Sequence, residues 1–116
     1  MSLTQIAFLL FAAIAAGGLT MAAIIAAGKS PPLFMGPGHG IGGLVACGLL
    51  FYANLQGGDA TPGHAWWALI VFTSGLAGGL LLFRVLFKGA TPLILIAGHG
   101  SVAALGLYLL YPLTGF

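Results

Sequence analysis

PLFMGPGHGIGGLVACGLLFY, residues Pro32 to Tyr52, is written twice in this chain. Sixty positions on, Pro92 opens PLILIAGHGSVAALGLYLLYP, and the two segments share seven identities in the blocks Pro-Leu, Gly-His-Gly and Leu-Leu. Leucine and glycine are common enough here to coincide by chance; a histidine held between two glycines is not. The reading makes His39 and His99 equivalent positions in a protein of two tandem units, about 1–56 and about 62–116, within a single transmembrane domain. The helix before each histidine supports the same register, because Gly17-Gly18-Leu19 matches Gly78-Gly79-Leu80 at an offset of sixty-one.

Composition decides the solvent. The chain has 116 residues, 60% of them hydrophobic, and its charged side chains are Lys29, Asp59, Arg84 and Lys88. Soluble domains carry about a quarter charged residues, so 3% charge and a mean hydropathy of +1.16 point to lipid around most of the surface. Three separated basic residues make no electrostatic footprint for nucleic acid. Cys47 has no partner for a disulfide and reads as a small packed apolar residue.

Crossing the ~30 Å hydrocarbon core takes roughly 20 apolar residues in a helix. Four segments are expected to do so: about Leu3–Ala27, Leu33–Asn54, Pro62–Phe87 and Pro92–Tyr111. Met1 to Gln5 lacks Lys and Arg, so the first run is expected to be a retained transmembrane helix rather than a signal peptide. Prolines and glycines punctuate the connections, with Thr91 expected to cap the fourth helix and Pro92 to open it. Short connections force antiparallel neighbours, which gives an all-α, up-down-up-down four-helix bundle of two helix-pair repeats. Lys29 and Lys88 lie in the first and third connections and Asp59 in the second. The positive-inside rule then places the 1–2 and 3–4 connections in the cytoplasm and both termini outside, in an integral membrane protein of the bacterial inner-membrane kind.

Each histidine is expected seven residues into its helix, ~10 Å along the axis and at equal depth. An ionisable residue inside a membrane is a functional-site hypothesis when a partner exists, and here each imidazole has the other. The residues three and four away are Met35, Gly36, Gly42 and Gly43 for His39, and Leu95, Ile96, Val102 and Ala103 for His99. One set is nearly bare and the other apolar. Such clearing allows close helix packing or a flat, bulky ligand. A haem meets these features together: two imidazoles as axial ligands, a slot lined by Gly36 and Gly43, and Arg84 and Lys88 as cations for its propionates.

At this point the chain resembles the small four-helix transmembrane b-type cytochromes, in architecture and in the paired Gly38-His39-Gly40 and Gly98-His99-Gly100. The resemblance implies haem b and electron exchange with quinone or a partner redox enzyme, as a homo-oligomer or a subunit of a redox complex. An electron carrier or membrane subunit fits this length better than a stand-alone enzyme. Two other readings stay open. One is a small transporter or channel with His39 and His99 as a proton or metal relay. The other is a structural accessory subunit whose histidines only pack. His64, beside Trp66 and Trp67 on the opposite face, reads as an interfacial residue, or as part of a quinol or docking site.

Overall fold

The computed structural model describes residues 1–89 and 92–116. Four helices, α1 (Leu3–Ala26), α2 (Met35–Gly57), α3 (Gly63–Leu81) and α4 (Leu93–Leu110), account for nearly all of them. Single tight turns over Gly58–Ala60 and Tyr111–Leu113 extend α2 and α4. All four helices are long and apolar enough to cross a membrane. The long axis of the bundle, 46 Å, matches the ~40–45 Å of a bilayer with its headgroups. Leu9, Ile41, Leu44, Ile70, Ile94 and Tyr108 stand exposed on the outside, as expected of a face solvated by acyl chains.

Neighbours in sequence pack side by side, and α1 also packs on α4, so the helices form a square with α2 and α4 on one diagonal. The core lies toward the end where the chain begins and ends. There the two halves use the same places: Ala7 and Ala68, Leu50 and Leu110, Ala46 and Gly106, and the polar pair Asn54 and Thr114 are all buried. Phe11 and Phe72, sixty-one apart, stack face to face with centroids 3.5 Å apart and planes 4° from parallel. Where the halves differ they compensate. A Cβ on Gly42 would come within 3.2 Å of the Ile14 side chain, and one on Gly75 within 3.2 Å of Val102. In each helix pair one member is large and the other bare, with the roles exchanged. This large-against-small matching keeps an interior at native density.

Several ends differ from expectation. Helix α2 starts at Met35 rather than Leu33, because the chain leaves Pro31-Pro32 through a turn closed by the Met35 N–H donating to the Pro32 carbonyl at 3.0 Å. Pro37 falls in the first turn, where helix N–H groups have no intrahelical acceptor, so it does not break the helix. Pro92 caps α4 instead of opening it, its carbonyl accepting from Leu95 and Ile96. Thr91 lies outside the described residues. The start of α1 carries a capping box: the Gln5 N–H donates to Ser2 Oγ and the Ser2 N–H to Gln5 Oε1. Gln5 Nε2 also donates to the Thr114 carbonyl at 2.8 Å, tying the first helix to the last turn of the chain.

Beyond Leu81, helix α3 widens into a π turn over Leu82–Leu86, where the Phe87 N–H reaches back five residues to Leu82 at 2.8 Å. Such turns displace side chains from the ordinary helical row and cluster at functional sites. Phe83 and Arg84 ride on this one.

Candidate functional site

The square leaves a chamber of about 260 Å³ at the end that holds Arg84, between the Phe11–Phe72 stack and the helix ends. His39 enters it from α2 and His99 from α4, across the diagonal, with ring centroids 6.0 Å apart and planes at 59°. Both rings are half-buried. The shorter start of α2 puts His39 about 6 Å along its helix and His99 about 9 Å, yet the rings meet. The fold thus brings the two Gly-His-Gly segments together across the diagonal.

The glycines on α1 and α3 do something the sequence reading did not assign to them. A Cβ on Gly18 would stand 3.0 Å from Cε1 of His39, and one on Gly79 would stand 2.9 Å from Cε1 of His99. Each is a seat for the imidazole of its own half, and the seats are sixty-one residues apart like the rest of α1 and α3. The cleared space is thus occupied by the histidine rings themselves. Gly17 and Gly78 have nothing within 4 Å of a Cβ and take no part. Of the glycines expected to line a slot, Gly36 and Gly43 both face the chamber. A Cβ on Gly43 would lie 3.5 Å from Leu76 Cδ1, and one on Gly36 would lie 3.2 Å from a guanidinium nitrogen of Arg84.

Arg84 is the charged side chain on the chamber wall; Lys88 is exposed in the turn beyond and does not line it. Between Arg84 on Gly36 and Leu76 on Gly43, Gly40 has no neighbour within 4 Å. There the chamber runs into an outer groove of about 350 Å³ bordered by Pro37, Ile41 and Leu44. The chamber and the groove share Gly36, Gly40, Leu76, Leu80 and Arg84 on their walls.

The two imidazoles are held differently. His39 Nδ1 lies 3.1 Å from the Ile14 carbonyl oxygen on α1, so this nitrogen is the donor, and in the neutral ring the lone pair is on Nε2. That is the outer contact made by metal-bound histidines. His99 makes no hydrogen bond among the described residues. Phe83 stands edge-on to its ring, 5.6 Å between centroids at 90°. Sequence reasoning passed over Phe83, Ile14 and Met21 on the chamber wall, and read Cys47, which also lines it, only as a packed apolar residue. Apolar residues on an apolar helix give no signal of which one faces the interior.

His64 is exposed at the opposite end, next to Trp66, whose ring meets Phe51 edge-on at 6.2 Å. Among the described residues no third histidine, cysteine or carboxylate joins His39 and His99. A bare metal ion would have two protein ligands there, short of the usual three or four. The fold and site define a four-helix, membrane-length bundle with a two-histidine chamber. Comparison of the chain with protein-family models, curated proteins and solved structures gave no match.

Proposed function

We propose that this chain is a haem b-binding electron carrier of the membrane, with His39 and His99 as axial ligands from α2 and α4. One observation carries the reading: two repeat-equivalent imidazoles face each other across an apolar chamber, 6.0 Å between centroids. Two imidazole nitrogens that held one metal at about 2.0 Å each would bring their rings to a separation of this order. The residues around the pair fit the group. Gly18 and Gly79 make room for the Cε1 edges of the two rings, the Ile14 carbonyl takes Nδ1 of His39 and leaves Nε2 as the nitrogen for a ligand, and apart from Arg84 the remaining walls are apolar.

Haem supplies a reversible one-electron couple whose potential the axial ligands, burial and nearby charge adjust. The protein's part is to hold both imidazoles at fixed spacing, keep water away and offer Arg84 to a carboxylate. Lys88, one helical turn beyond Arg84, is a second cation at the same end. The chamber is smaller than the usual ~300–1,000 Å³ of a ligand site, so the space for a porphyrin is the chamber together with the groove past Gly40. By the positive-inside rule, Lys29, Arg84 and Lys88 support an orientation with the chamber end cytoplasmic in a bacterial inner membrane and the termini and Asp59 outside. Exchange with quinone or a partner enzyme, as an oligomer or a subunit, completes the reading.

The test is the pyridine haemochrome of protein purified from haem-replete cells. The expected outcome is one b-type haem, with a Soret band and a sharp α band on dithionite reduction. Colourless protein that moves protons or metal ions across liposomes in a pH-dependent way would replace the carrier with a relay.

A further inference from the structure

We infer that the two ligands are unequal: His39 is the anchored one and His99 the exchangeable one, so that the site binds a small neutral ligand such as carbon monoxide in place of His99. This rests on the haem reading above. The glycine seats do not distinguish the rings, since Gly18 and Gly79 leave them nearly the same clearance, 3.0 and 2.9 Å. The difference lies in what holds each ring from outside.

His39 has the Ile14 carbonyl at 3.1 Å on Nδ1. That bond fixes the tautomer, fixes the ring's rotation and makes Nε2 a better donor; losing such an outer partner typically costs ~10–100-fold in metal affinity. The second half has a carbonyl at the matching place, that of Gly75, sixty-one residues after Ile14. His99 does not bond to it. Among the described residues its nitrogens have no hydrogen-bond partner, and the ring is oriented by the edge of Phe83 instead. Where α3 carries Phe83, the matching position of α1 is Ala22, which makes no such contact and leaves His39 free to turn to its carbonyl. An edge-on aromatic contact aligns a ring but neither selects its tautomer nor raises its basicity. If haem were held here, replacing His99 would swap one neutral donor for another, with no proton or electron transferred. Apart from Arg84, the walls of the chamber and of the groove past Gly40 are apolar, which suits an uncharged diatomic molecule.

The experiment uses the full chain in lipid nanodiscs, reconstituted with haemin, reduced with dithionite and mixed with carbon monoxide. Wild type, His39→Gly and His99→Gly are compared for haem affinity and for the rate of the Soret shift. His99→Gly is expected to keep haem and to bind carbon monoxide at least 10-fold faster than wild type, with added imidazole restoring the original spectrum. His39→Gly is expected to bind haem ~10–100-fold more weakly than His99→Gly. Phe83→Ala, which leaves both ligands in place, is expected to slow carbon monoxide binding by freeing His99 to reach the Gly75 carbonyl. Equal haem affinity and equal carbon monoxide rates in the two histidine variants would overturn the assignment, as would tighter haem in His39→Gly. Wild-type protein that takes up no haem at all would remove the carrier reading and this one with it.

Discussion

The two ends of this bundle obey the internal repeat to different degrees. At the end carrying the termini, matching positions have matching fates: Ala7 and Ala68, Leu50 and Leu110, and Phe11 and Phe72 are buried in pairs. At the chamber end the halves diverge. Pro37 faces Ala97 in the alignment, Ala22 faces Phe83, and Arg84 has no basic counterpart. What both halves retain there is the histidine and its glycine seat. A packed interior tolerates few volumes, so matched halves fill it with matched residues. A ligand with an anionic edge and an apolar edge has no twofold symmetry, and the wall around it is free to lose its own. The divergence is what a site for one asymmetric ligand would produce.

Breaking the packed end is expected to give the largest effects on stability. Phe72→Ala removes half of the central stack and should cost about 3–5 kcal/mol, and Leu50→Ala or Leu110→Ala about 2–5 kcal/mol each, read as lowered thermal unfolding in detergent. Because Leu50 and Leu110 are both fully buried at matching positions, their losses should agree closely. A large disparity would show that the packed end does not follow the repeat.

The exchanged large and small partners offer a sharper comparison. Gly42→Val pushes against Ile14 and should cost roughly 1–3 kcal/mol through overpacking. Adding Ile14→Gly recreates the arrangement of Gly75 and Val102, so the double variant should regain stability over Gly42→Val alone. Purely additive losses would mean that the two contacts are not equivalents.

At the chamber end, Gly18→Ala and Gly79→Ala each drive a methyl into an imidazole, so each should alter ligand spectra far more than unfolding temperature. Gly17→Ala, with open space at its Cβ, is the control and should change neither. The smallest effect belongs to Gln5→Ala, which removes the Gln5 half of the capping box and the link to Thr114 while the Ser2 cap stays, and should cost about 1 kcal/mol.

The sequence held the fold in two separate signals. Apolar runs of spanning length set the number of helices, and the repeated Gly-His-Gly fixed which of them are equivalents. The histidine pair was legible for the same reason: a polar residue repeated in an apolar background stands out. The role of Gly18 and Gly79 was not, because a bare position on a helix is compatible with a neighbouring backbone, a ligand or a side chain. Only the diagonal placement of α2 and α4 shows that the histidines themselves fill it. The α2 start moved from Leu33 to Met35 because the Pro31-Pro32 exit makes a turn before the helix begins. Periodicity carries no record of that turn. Ser2 and Gln5, three apart before an apolar run, have capping-box spacing that the sequence reading did not pick up, and the bond from Gln5 to Thr114, across the length of the chain, has no sequence signal at all.

The central claim is that His39 and His99 hold one haem together, and electron paramagnetic resonance of the oxidised protein tests it most directly. The account predicts a low-spin, bis-imidazole signal in wild type and in His64→Ala, converted to high spin or lost in both His39→Ala and His99→Ala. A wild-type protein without haem, or a low-spin signal that survives both substitutions and disappears only in His64→Ala, would contradict it.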